Sequence, residues 1–166
     1  DDARARQEIG EAEAIAREAL AQVRSAVTGI RASDLAGELA SARLLLECQQ
    51  VHLQYTTPPP MPVDVERGLA LVLREAATNI VRHAQATRVQ VDFMLEDRQL
   101  AMQIRDDGRG GVQAEGNGLC GMRERAAALG GQLTLQSPRG EGTLLTVRVK
   151  KHVLGTPASA DTVVYE

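Results

Sequence analysis

The chain has no tryptophan, a single phenylalanine (Phe93) and two tyrosines (Tyr55 and Tyr165) in 166 residues. Single-stranded nucleic acids are gripped on aromatic stacking platforms. This scarcity argues against that class of ligand and leaves Leu, Val, Ile and Ala to build the interior. Cysteine is almost as scarce: Cys48 and Cys120 stand alone, without a CxxC pair. That argues against a disulfide framework or a cysteine-held zinc, and a reducing, cytoplasmic setting is expected. No apolar run reaches the ~18 residues of a membrane span, and no secretory pattern is visible. Charge is nearly balanced, with 19 Lys and Arg against 22 Asp and Glu for a net −3. No basic footprint for nucleic acid results, and no membrane contact by this chain is expected.

What is present suits a globular domain: 43% hydrophobic and 25% charged residues, over a length near the ~150 residues of one domain. The sequence opens Asp1-Asp2 rather than with Met, as expected of a segment of a longer protein. In residues 8–31, Ile9, Ala12, Ala16, Ala19, Val23, Ala26 and Ile30 recur at steps of three and four. Such a stripe predicts a helix that packs on a partner helix. A boundary is expected at 29–34, where Gly29 weakens the helix and Ser33 or Asp34 can cap the next one. The division is then a helical stalk segment over 1–31, a globular domain over 32–150 and a loose tail over 151–166.

Within the globular part, Leu35, Leu39, Ala42 and Leu46 repeat helically, and Val51, Leu53 and Tyr55 alternate as a strand. Residues 56–62 hold four prolines and must be loop. Asp64 is placed to cap a helix over 65–84 with the core stripe Val65, Leu69, Val72, Ala76 and Ile80. Runs from Val89 to Leu95 and from Leu100 to Ile104 predict a hairpin about Glu96-Asp97-Arg98. After an irregular Gly-rich stretch at 107–118, Leu119, Met122, Ala126 and Leu129 predict a short helix that ends at Gly130-Gly131. A second hairpin follows, from Leu133 to Val149, turning at residues 138–142. Two hairpins with one face covered by helices make an α+β, two-layer sandwich rather than a doubly wound parallel sheet.

Four constellations carry chemistry. Glu75, Asn79, Arg82 and His83 share one face of the 65–84 helix by their spacing. A carboxylate and an amide oxygen one turn apart are hard ligands suited to Mg²⁺ that arrives with phosphate. Arg82 can pair with a phosphate oxygen, and His83 can donate to one. Taken alone, this face also reads as a solvated surface beside a loop. Asp106-Asp107-Gly108-Arg109-Gly110-Gly111 follows a strand. A carboxylate there can accept from an exocyclic amine such as adenine's, and the glycines admit a flat ligand, although Asp-Gly is common in turns. Gly116-Asn117-Gly118-Leu119 opens a helix whose first amides form an anion site. It is neither a Walker A motif nor a Rossmann fingerprint. Gly140-Glu141-Gly142-Thr143 is a turn whose hydroxyl can face the same pocket, or an ordinary hairpin turn.

In this order the four segments resemble the ATP-binding domain of sensor histidine kinases. The subgroup is that of DesK, NarX and LiaS, whose partners are LuxR-type response regulators. It lies within the wider group that holds gyrase, Hsp90 and MutL. The resemblance spans about residues 8–150 and implies the Bergerat-type ATP-binding fold, with ATP and Mg²⁺ as ligands. It implies that Asn79 is the Mg²⁺ ligand, that Glu75 is a base or water-orienting group, and that Arg82 and His83 face the phosphates. Asp106 would read the adenine amino group in a pocket shaped by Gly108 and Gly110. Residues 111–118 would form a short lid with Gly116 and Gly118 as its glycine box, Asn117 and Leu119 would also face the nucleotide, and Thr143 would sit at the far wall.

One feature of these kinases is missing: the phosphoacceptor histidine on the first helix of a dimerisation hairpin. His52 lies in a predicted strand, His83 in the first box and His152 in the tail. Residues 8–31 instead resemble the second helix of that hairpin. The expectation is a catalytic segment that binds ATP but does not phosphorylate itself. The intact protein is expected to be anchored in the inner membrane, to dimerise through its stalk helices and to serve a response regulator. The alternatives are another ATPase or protein-serine kinase of the wider group, or a non-catalytic docking module.

Overall fold

The computed structural model describes residues 35–96, 99–112 and 116–150. The predicted stalk helix at 8–31, the caps Ser33 and Asp34, the turn residues Asp97 and Arg98, and the tail at 151–166 lie outside the described residues. The elements are α1 (Leu35–Glu47), β1 (His52–Tyr55), α2 (Val63–Asn79) with a π-helical turn at Ile80–Ala84, β2 (Arg88–Glu96), β3 (Gln99–Asp106), α3 (Asn117–Ala128), β4 (Gly131–Gln136) and β5 (Thr143–Lys150).

The strands form one sheet in the order β1-β2-β3-β5-β4. Alternation decides its two faces. Val89 and Val91, Leu100, Met102 and Ile104, and Leu145, Val147 and Val149 are buried, whereas Gln90, Arg105, Arg148, Gln132 and Thr134 are exposed. The buried face packs on the apolar stripes of the helices, and all of these side chains join one core. The expected two-layer α/β sandwich is what forms. One pairing was not foreseen: β1 runs parallel to β2, with Leu53 opposite Val89. The connection through α2 is therefore a βαβ unit, although it surrounds the first box rather than the Gly116 motif.

Local chemistry explains the helix boundaries. Asp64 is not the cap of α2. The helix begins one residue earlier, at Val63, after Pro62 at φ −60°, with no side-chain cap bond. Proline has this φ built in and no N–H to satisfy. Asp64 sits with Glu66 in the first turn, where carboxylates oppose the positive helix end. Glu66 does further work, accepting the first N–H of α1, that of Leu35, at 3.2 Å. The two helices are also joined by Glu38, only 8% exposed, which accepts Arg74 Nη2 at 2.6 Å and Nε at 3.1 Å. Among the described residues no buried side-chain nitrogen or oxygen lacks a partner.

The predicted end of the second helix at Ala84 holds, but its last turn is π-helical and closes at Gln85 with φ +53°. α3 starts at Asn117, two residues before the expected Leu119, and its last turn is followed by Gly130 at φ +66°. Leu95 continues the apolar alternation of β2 yet is 55% exposed, whereas Val91 is fully buried. That gradient along β2 marks where the helical layer ends. Among the described residues no helix is long and apolar enough to cross a membrane.

Candidate functional site

The first group of predicted residues stands on α2 and its π-helical turn. The stripe Val65, Leu69, Val72 and Ala76 seats the helix in the core. Glu75 and Asn79, half-buried beside it, line a cavity of about 370 Å³. Arg82 and His83 line the same cavity from the π-helical turn. Such one-turn insertions recur at functional sites. Here the turn presents two consecutive polar residues to one space, although both remain largely exposed.

The second group stands at the end of β3. Asp106 is the last strand residue, 5% exposed. Its Oδ1 accepts the Gly108 N–H at 2.8 Å. Thr143, its register partner on β5, supplies backbone and hydroxyl hydrogen bonds. The Thr143 hydroxyl lies 2.9 Å from Ser137 Oγ, which also accepts the Val112 N–H at 3.1 Å. Burial pushes the Asp106 carboxyl above its ordinary pKa. The bonds from Gly108 and Thr143 pull it back without cancelling the rise, and the neighbouring Asp107 charge adds to it.

The glycines of this loop have different tasks. Gly108 does not line the cavity but stands behind it, where a Cβ would run into the Ala84 carbonyl oxygen. Gly110 does line it, at φ +59°, with the Pro138 carbonyl oxygen where a Cβ would be. The loop is laced to the β4–β5 turn by Gly111 N–H to Ser137 O at 2.9 Å and by Gly140 N–H to Arg109 O at 2.7 Å.

The third group closes the cavity from α3. Gly116 precedes the helix in extended conformation, with no side-chain cap bond. The first amides of a helix have no partner within it, and they attract anions. Gly116, Asn117, Gly118 and Leu119 all line the cavity. Gly118 stands against α2: a Cβ there would meet Glu75 Oε1 and lie 3.5 Å from Asn79 Nδ2. Thr143 completes the wall.

Every predicted site residue except Gly108 thus borders one cavity, and Gly108 holds the residue that does. Ile80, read from the sequence as core, and Ile104, Met122, Leu135 and Leu145, read only as strand or helix residues, also line this space. Val112, within the stretch expected to form the lid, also lines it. Ser137 was missed: it carries no motif and reaches the site only through its bonds to Thr143 and Val112. Chemically, the cavity offers an apolar slot with one carboxylate at its wall. Next to the slot stand hard oxygen donors, two basic side chains and a helix N-terminus. That set suits a flat base carrying an anionic chain.

A family model for histidine kinase-, DNA gyrase B-, and HSP90-like ATPases matches residues 64–153. The chain is 31% identical over 156 residues to the sensor histidine kinase YvfT of Bacillus subtilis (strain 168), covering 91% of this chain and 42% of that one. It is 30% identical over 156 residues to the sensor histidine kinase DesK of the same organism, covering 90% and 42%. The chain therefore spans less than half the length of these relatives. The solved histidine kinase domain of the Erythrobacter litoralis EL346 blue-light activated histidine kinase superposes with a TM-score of 0.60 at 24% identity, covering 72% of this chain and 64% of that one. This last likeness bears on the fold alone.

Proposed function

Since this chain belongs to the histidine kinase-, DNA gyrase B- and HSP90-like ATPase family, whose ATP-binding domain it shares, we propose that it is the catalytic part of a two-component sensor histidine kinase. It binds Mg·ATP and presents the γ-phosphate to a histidine on a dimerisation helix, for relay to an aspartate of a response regulator. The observation that carries this reading is the convergence of α2, the end of β3 and the start of α3 on one cavity. Asp106 accepts the adenine amino group, and the apolar slot takes the ring. Arg82, His83 and the first amides of α3 offset phosphate charge. Glu75 orients or accepts the proton of the attacking group. Catalysis rests on positioning and charge neutralisation. On the resemblance to the DesK, NarX and LiaS subgroup, the intact protein would be a homodimer with a membrane-anchored sensor and a LuxR-type regulator as partner, with this part in the cytoplasm.

The donor set fits Mg²⁺ brought in by the nucleotide. Among the described residues no group of three or more His, Cys, Asp and Glu gathers. Asn79 would therefore supply one protein oxygen to a shell that phosphate and water complete, leaving Glu75 for the attacking group. A Mg²⁺ held there would supply neutralisation of phosphate charge.

Calorimetric titration of the full chain with ATP, in Mg²⁺ and in EDTA, is the test. Mg²⁺ is expected to tighten ATP binding, and Asn79→Ala to lose that gain, on the order of tenfold, with binding in EDTA unchanged. Failure of the folded wild type to bind ATP sinks the reading. Incubated with γ-labelled ATP, the chain is expected to hold no acid-labile label itself. It should pass label to a histidine-bearing dimerisation helix supplied in trans. Steady phosphate release without transfer points to another branch of the family.

A further inference from the structure

Asp107 does not line the cavity, yet its side chain accepts three hydrogen bonds beside it. Oδ1 accepts the Thr87 N–H at 2.8 Å and the Arg88 N–H at 2.9 Å. Oδ2 accepts the Thr87 hydroxyl at 2.7 Å. The backbone adds Asp107 N–H to Arg88 O at 3.2 Å and Arg109 N–H to Ala84 O at 2.8 Å. Thr87 is held from its other side too, its carbonyl accepting the His52 N–H at 2.9 Å. The loop after β3 is thus bolted to the segment that leaves the π-helical turn.

These bonds lead to the ligand side in one step. Gly108 follows Asp107 and is wedged beneath the Ala84 carbonyl, with no room for a side chain. Its N–H fixes Asp106 Oδ1. The pose of the Asp106 carboxylate therefore depends on where the Asp107 clamp holds the backbone.

We propose that Asp107 is a positioning residue for nucleotide binding, which sets the Asp106 carboxylate through Gly108 and ties it to the π-helical turn that bears Arg82 and His83. The proposal rests on the reading of the cavity as an ATP site. The role is geometric, so the isosteric amide should preserve it. An Asn carbonyl oxygen accepts both N–H groups, and its NH₂ donates to the Thr87 hydroxyl, which can accept.

The test measures affinity for ATP and GTP on the full chain, by displacement of a fluorescent ATP analogue, at temperatures where circular dichroism shows folded protein. Asp107→Ala is expected to weaken ATP at least tenfold and GTP little, so that discrimination between the two bases collapses. A merely structural role would weaken both alike. Asp107→Asn is expected to stay within threefold of the wild type. Should Asp107→Ala not fold, Thr87→Val removes one bond of the clamp and is expected to weaken ATP selectively by a smaller factor. ATP affinity unchanged in Asp107→Ala, equal losses for both nucleotides, or an Asn variant as weak as the Ala variant overturns the proposal. A wild type that binds no ATP overturns instead the reading on which it rests.

Discussion

Asp106→Asn is expected to weaken ATP binding severely while leaving the fold at least as stable as the wild type near neutral pH. The first half follows from hydrogen-bond sense. Oδ1 is committed to the Gly108 N–H at 2.8 Å. An amide in this pose keeps its oxygen there and turns its NH₂ toward the ligand, so donor meets donor. Losing a bond to a charged acceptor costs about 1.5–3 kcal/mol, and the unmatched amine adds to that, for a loss of at least about thirtyfold in affinity. The second half follows from burial. The carboxyl is held above its ordinary pKa, with burial as the largest cause. As pH rises through the ordinary carboxylate range, the unfolded chain releases this proton before the folded one does. Stability therefore falls until the pH passes the folded value, and the deficit then persists. The Asn variant has no such slope. Urea unfolding from about pH 4 to about pH 7 should show the variant gaining on the wild type. A variant that unfolds earlier at neutral pH would mean that the carboxylate serves the fold as well as the ligand.

The other large effect is steric. Gly110→Ala is expected to lower stability by about 3 kcal/mol or more and to remove nucleotide binding with it. The position has φ +59°, and the Pro138 carbonyl oxygen occupies the place of a Cβ. A left-handed backbone costs an alanine about 1–2 kcal/mol, and forcing packed atoms apart adds about 1–3 kcal/mol. Gly140→Ala separates the two contributions. Gly140 has φ +81° but open space where a Cβ would point, so it should lose only the first, with ATP binding retained. Equal losses at the two sites, measured by denaturant midpoints, would mean that the loop can move away from the turn and that the cavity wall is soft.

The site was legible in the sequence because four segments, each open to a plain structural reading alone, together fit one ligand. Asn79, Asp106 and the Gly116–Gly118 pair lie far apart in the chain, yet each has a donor, acceptor or backbone role that one ligand can use. The stripe Val65, Leu69, Val72, Ala76 and Ile80 was equally plain, and all five are buried. Features set by neighbours rather than by local pattern escaped. Nothing in His52–Tyr55 says that its partner strand runs parallel. The π-helical turn at Ile80–Ala84 follows an uninterrupted helical periodicity and is stabilised from outside, by the Arg109 N–H on the Ala84 carbonyl. Asp64 looked like a cap because its type suits one, but Pro62 had already fixed the chain direction. Asp107 read as half of a common turn dipeptide, and its partners at Thr87 and Arg88 become visible only with β2 and β3 aligned.

The four-residue β1 forms one edge of the sheet. An exposed edge is a template on which a second chain can add a strand. Here the invitation is withdrawn within a few residues. Thr56 turns its N–H inward to Val91 O and its hydroxyl to the Phe93 N–H. Pro58, Pro59, Pro60 and Pro62 then offer no N–H at all. Strand addition along this edge is therefore limited to the four residues of β1, and the proline run that ends it also sets the entry into α2.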